Sequence, residues 1–234
     1  QKDDVDITLL NAGVLVATAA SDIYIGSEED IRVKQVDAAV NKDVRIKTGA
    51  ALINVAVAGS AAINGRDITV EAGGADLGAS ATPFYINARG GTTARAKGDL
   101  YLSNTVGDMR LEQVFAGNMA KLVSVGAIVE DPFNYNLLTD LRANKIWLTA
   151  ATTIGERDVT GLKHLDIGSD PTGWVDMTAP DGIYIYSPSL RLNLRSVSAS
   201  NGEIHGTSFS NSFDVIGDVS AKNGIALTAG EAII

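Results

Sequence analysis

Imidazole chemistry has two candidates in this chain, His164 and His205, because no other histidine is present. A histidine metal site or proton relay needs a second His, a Cys or a carboxylate close at hand. Neither residue has a Cys or a second His near it in sequence, so both read as strand or surface positions. Cys is absent altogether, which excludes disulfides, cysteine-ligated zinc, iron–sulfur clusters and thiol catalysis. Two acidic clusters, Asp3, Asp4 and Asp6, then Glu28, Glu29 and Asp30, carry the oxygen ligands that Ca²⁺ takes. Solvated corners are the simpler expectation, and weak Ca²⁺ binding at these loops is the one cofactor left open.

Other short motifs carry less. "GGADLGAS" (73–80) approaches the glycine-rich calcium nonapeptide but lacks its second spacing glycine and occurs once, so no site is assigned to it. "NGR" at Asn64–Arg66 is expected to be an Asn-Gly turn. Nucleophile elbow, phosphate loop and H-E-x-x-H are all missing. Carboxylates are plentiful, but no pair recurs beside an Arg or Lys in a way that suggests glycan cleavage. Tyr24, Tyr101 and Tyr184 each stand between two apolar residues, and alternation points them outward. Arg32, Arg110 and Arg191 or Asn193 follow close by, so a Tyr/Arg stripe could stack on sugars; outward tyrosine is also ordinary strand chemistry. No residue is assigned a catalytic, cofactor or metal role, and the chain is not expected to be an enzyme.

These residues sit in a chain that repeats itself. "DIYIGSEEDIRVKQV" from Asp22, "DLYLSNTVGDMRLEQV" from Asp99 and "GIYIYSPSLRLNLRSV" from Gly182 share one pattern. Each opens apolar–Tyr–apolar, continues with a second apolar–polar–apolar unit and closes on Val36, Val114 or Val197. A second signature starts at Ile68, Ile146 and Ile225. Both markers give a unit of about 78 residues, hence three units: 1–78, 79–156 and 157–234. The first and last units begin and stop in phase with the internal joints, and the final residues, Ala232, Ile233 and Ile234, are apolar. Repeat proteins close with polar caps, so neighbouring repeats or identical chains are expected to continue the array at both ends. The opening "QKDDVDITLL", with no initiating Met or signal segment, is expected to be a start cut from something longer or a mature end.

Of the 234 residues, 45% are hydrophobic and 20% charged, enough for a real core. No apolar run reaches the ~18 residues of a membrane helix. A net charge of −9 with scattered basic residues argues against nucleic acid.

Period-2 alternation dominates, with turns rich in Gly, Asn, Asp, Ser and Pro between short strands. Only "NYNLLTDLRANK" (134–145) carries helical periodicity and is expected to form a helical turn or a loop. Two architectures fit: a three-faced parallel β-helix of about 20 residues per turn, or three tandem β-sandwiches. Aromatics make up 6% of the chain, poor material for a sandwich core, whereas stacked Ile, Leu, Val and Ala fill a narrow lumen. The all-β solenoid is the expected fold. Twelve turns are expected, four per unit, with Ile7, Ile23, Val44, Ile68, Phe84, Leu100, Leu122, Ile146, Leu165, Ile183, Ile204 and Ile225 in successive turns. Ile23, Ile25, Leu100, Leu102, Ile183 and Ile185 are expected to face inward.

"DLYLSNTVGDMRLEQV", "KIWLTAATTIGE" and "GIALTAGEAII" resemble the degenerate repeats of the filamentous-haemagglutinin-like adhesins and related giant bacterial surface proteins. The resemblance covers most of the chain and rests on β-repeat wording, so it points to a class. It implies a right-handed parallel β-helix, secreted to the extracellular surface as a stalk, fibre or biofilm-matrix component, with matrix or cell-surface glycans as partners. The irregular segments "DPFNYNLLTDLR" and "GLKHLDIGSDPTGW" depart from the family pattern. The competing function is a carbohydrate-binding or carbohydrate-cleaving β-helix, such as a polysaccharide lyase or phage tailspike. Such an enzyme needs one unique charged patch, and 131–145 and 157–174 are the segments that could hold it.

Overall fold

An aspartate stands immediately before the first inward residue of strand after strand: Asp22-Ile23, Asp30-Ile31, Asp67-Ile68, Asp76-Leu77, Asp99-Leu100 and Asp108-Met109. The computed structural model describes residues 5–6, 8, 13–133, 139–157, 163–188 and 191–234. In it, each of these carboxylates accepts the backbone N–H at the matching corner one turn further on. The donors are Asp43 (3.1 Å), Ala51 (2.9 Å), Gly91 (3.0 Å), Asp99 (2.8 Å), Met119 (3.2 Å) and Ala127 (2.8 Å), in the same order. At a corner the backbone leaves the ladder and its N–H would go unmatched. A short, charged acceptor closes that gap with a charge-assisted bond. Six of the chain's 28 acidic residues thus hold one turn to the next.

Between corners the chain is extended. The described residues contain 22 strands in one sheet, paired in parallel, and no helix. They stack as a β-solenoid of about 10 turns with about 21 residues per turn, two turns fewer than the sequence reading gave. Parallel ladders of this kind have no neighbour-by-hairpin option, so each strand pairs with its successor one turn away.

Each turn carries two ladders. On the first face Ile23, Val44, Ile68, Thr92 and Leu111 are in register. The same face continues through Met109, Ile128, Ile154, Ile183, Ile204 and Ile225. On the second face Ile31, Leu52, Leu77, Leu100, Ala120, Ile146, Val175, Leu194 and Val215 align. Both faces are bent mid-strand, with register shifts at Thr92/Thr93 on the first and at Val175/Asp176 and Leu194/Ser196 on the second. The expected third face is the second half of such a bent face: Ile31–Ala38 is one strand that carries both halves.

Inward residues of both ladders form one continuous apolar cluster. Ile23 and Ile25 are 8% and 5% exposed, and Leu100, Leu102, Ile183 and Ile185 are fully buried. Each such side chain contributes roughly 1.5–3 kcal/mol of burial.

The turn-by-turn list read from the sequence holds in three runs that change face between them. Ile23, Val44 and Ile68 stack on the first face. Phe84, Leu100, Leu122 and Ile146 lie in successive paired strands of the second. Leu165, Ile183, Ile204 and Ile225 follow turn by turn on the first. Ile7 falls outside the described residues. The cause is the relation between sequence period and coil. Stepping through Ile23, Ile31, Val44, Leu52, Ile68, Leu77, Thr92 and Leu100 alternates faces at each step, so the 77 residues from Ile23 to Leu100 make seven half-turns. The repeated motif therefore lies on the first face at Tyr24 and Tyr184 and on the second at Tyr101.

Two further expectations change. Residues 134–138 of the helical candidate are outside the described residues, and the remainder enters the strand Leu141–Ala150. Asn64 and Gly65 belong to the strand Ile63–Gly65 and not to a turn. Asn64 donates to Asp37 Oδ1 at 2.7 Å and accepts from Asn87 Nδ2 at 3.1 Å, an outward polar ladder through three turns.

Candidate functional site

Two neighbouring turns of the first face leave the ladder and return. The chain departs after Glu130 and rejoins at Leu141, then departs after Ile154 and rejoins at Leu165. These excursions coincide with the irregular segments that the sequence offered as the place for a unique patch. Gly155, with φ of 71°, starts the second one. A Cβ there would collide with the Tyr184 carbonyl oxygen of the next turn, so the position needs glycine for space as well as conformation.

The corner device recurs at the throat of these excursions in altered form. Asp140 precedes Leu141, and its Oδ2 accepts the N–H of Asp166 at 3.2 Å, while Asp140 N–H donates to Asp166 O at 2.9 Å. Here both corner positions are aspartate and both are covered: Asp140 is 1% and Asp166 2% exposed. Glu130 and Asp131 are also buried. Asp166 Oδ2 has no hydrogen-bond partner. Burial, then repulsion from Glu130, pushes the Asp140 carboxyl up to about 9. The same two causes push Asp166 up to about 8. Both are neutral acids at pH 7, a protonation state that general acid catalysis uses. Among the described residues no group of three His, Cys, Asp or Glu side chains is placed to hold a metal ion.

Beside this pair the structure joins the two histidines that sequence spacing kept apart. His205 is in register with Tyr184, and His164 immediately precedes Leu165, which pairs with Ile185. The Tyr184 ring therefore lies between them, 6.2 Å from the His164 ring and 5.7 Å from that of His205. The Tyr184 hydroxyl donates to Glu203 at 3.2 Å, and Glu203 also meets His205 and Arg157 at 3.2 Å. Stacking along a parallel ladder places residues from successive turns side by side, which no local spacing rule would find.

The Tyr/Arg stripe is not assembled. Tyr24 lies under Arg45 at 5.4 Å, Arg191 pairs with Asp214, and Asn193 donates to the carbonyls of Pro171 (2.9 Å) and Gly173 (2.7 Å). Arg110 instead lines a surface hollow with Arg89 and Asp108. Tyr101 and Tyr184 point away from the lumen, as alternation has it, but are 8% and 6% exposed and so offer no open ring face to a sugar. Tyr101 donates to Asp99 at 3.0 Å, and burial with that bond pushes its hydroxyl up to about 12. Glu28, Glu29 and Asp30 are exposed at a corner, where Asp30 serves as a latch. Asp3 and Asp4 lie outside the described residues, and the side chain of Asp6 is not described.

Fold and site together define a parallel β-solenoid with covered polar clusters on its flank. No family model, curated protein or solved structure matches the chain.

Proposed function

We propose that the chain is a non-catalytic structural segment of an extracellular surface protein, a rigid stalk or fibre of the kind built by filamentous-haemagglutinin-like adhesins. The carrying observation is the aspartate latch, repeated from turn to turn beside an unbroken core. A solenoid fastened at successive corners from Asp22 to Ala127 resists hinge bending over that stretch, which is the property a spacer needs.

Small-angle scattering tests the rigid-rod part. About ten turns at ~4.8 Å each give a rod about 48 Å long. Scattering from flexible beads would overturn it, and electron microscopy of native material would show whether the rods join into fibres.

The second reading, a carbohydrate-cleaving β-helix, draws on the raised acids Asp140 and Asp166. Depolymerisation of a polysaccharide by the purified chain, abolished in Asp166→Asn, would replace the structural reading with that one.

A further inference from the structure

The structure assigns an anionic-polysaccharide binding band to the outer side of Leu141–Ala150 and its neighbouring strands, recognised by Arg142, Lys145 and Lys121 and ordered by Trp147 and Trp174. This strand crosses the bend between faces, with a register shift between Ala143 and Lys145, and carries Arg142 on one side of the shift and Lys145 and Trp147 on the other, all outside the core. Lys121 and Trp147 are in register on adjacent turns, with the ammonium 4.2 Å from the ring centroid. Lys145 is in register with Trp174, whose ring also carries the Arg195 guanidinium at 3.4 Å. At the other end, Arg95, Phe115 and Arg142 form a cation–aromatic–cation row in register. They line a hollow of about 350 Å³. Phe115 and Trp147 are 42% and 39% exposed.

Charge identifies the occupant. The chain carries −9 overall, and elsewhere Lys47, Arg66 and Arg191 each sit on a carboxylate. Among the described residues, Lys121, Lys145 and Arg142 have no carboxylate within ion-pair distance; Asp176 is taken by Arg195. The Trp147 ring fixes Lys121 by cation–π contact, and Arg95, Lys121 and the Arg142/Lys145 pair belong to three successive rungs, ~4.8 Å apart. That array suits a polymer with carboxylates at regular intervals, a polyuronate. Single-stranded nucleic acid needs free ring faces for base stacking, but Trp147 and Trp174 each have a face occupied by a cation. A second copy would occupy the band through its own carboxylates, and self-association without glycan is the outcome that reports it. This inference does not depend on the stalk reading.

The chain's two tryptophans both lie in the band, so intrinsic fluorescence reports on it directly. Polygalacturonate titrated into the intact chain at low salt should shift that fluorescence, and neutral dextran should not. The double variant R142Q/K145Q, with an unchanged melting curve, should bind about tenfold more weakly. K34Q/K222Q, which removes two exposed lysines elsewhere, should bind as the parent does. Absence of a shift, equal losses in both double variants, or tighter binding of oligothymidylate than of polygalacturonate would each overturn the proposal. So would self-association that R142Q/K145Q abolishes without any glycan.

Discussion

The ring of Tyr184 stacks on that of His205 at 5.7 Å and 23°, and the tyrosine hydroxyl reaches Glu203, two residues before that histidine. A ring that alternation points away from the lumen is thus held between two turns. Tyr184→Ser should cost about 2–4 kcal/mol through lost aromatic packing, whereas Tyr184→Phe, which loses only the hydroxyl bond, should cost about 1 kcal/mol. Chemical denaturation of the two variants checks this; equal costs would show that the ring does not pack.

Asp140 and Asp166 make stability depend on pH in an unusual direction. Their folded values, about 9 and about 8, lie above the ordinary carboxylate value, so the native chain binds more protons than the unfolded one. Stability is therefore fully present below about pH 4 and declines as pH rises, until the folded values are passed near 8 and 9. Each group contributes a slope of up to about 1.4 kcal/mol per pH unit in that window. Melting temperatures should fall from pH 5 to pH 9, and D140N/D166N should flatten the decline. A parent protein whose stability rises with pH across this range would contradict the assignment.

Gly206 occupies an inward position where its ladder neighbours are Ile185 and Leu227, and the Phe213 ring fills the space its missing side chain leaves. A Cβ there would lie 3.1 Å from Phe213 Cζ and 2.9 Å from Leu227 Cδ2. Gly206→Val should therefore cost about 1–3 kcal/mol by overpacking and Phe213→Ala about 3–5 kcal/mol by leaving a cavity. Because the two defects are complementary in volume, the double variant should be more stable than the sum of the single costs implies. Simple additivity in urea melts would show that the two sites are independent.

The corner latches predict a graded effect. Asp76→Ala removes the acceptor of the Asp99 N–H at 2.8 Å and should cost about 1–3 kcal/mol. Hydrogen exchange at the Asp99 amide should accelerate in the variant while amides at distant corners stay protected.

How much of this could be read in advance differs by residue. Alternation placed Ile23, Leu100, Ile183 and their partners inside, because a period of 2 leaves one choice of face once the apolar set is known. The solenoid followed from aliphatic composition and repeat length. Turn count and stacking order did not, since corners and insertions of unequal length, such as 55–62 and 131–140, carry no ladder signal. The pairing of His164 with Tyr184 and His205 depends on those lengths and was hidden for the same reason. One signal was present and unused: aspartate directly before an apolar strand start, at Asp22, Asp30, Asp67, Asp76, Asp99 and Asp108, marks corner after corner.

Seven half-turns separate Ile23 from Leu100, and seven more separate Leu100 from Ile183, by way of Met109, Ala120, Ile128, Ile146, Ile154 and Val175. An odd number means that equivalent segments emerge on opposite flanks, as along a two-fold screw axis. A single kind of surface decoration encoded once per unit is thereby displayed left, right and left again along the rod. Such a rod can touch two surfaces at once, bridging where an even count would have made it one-sided.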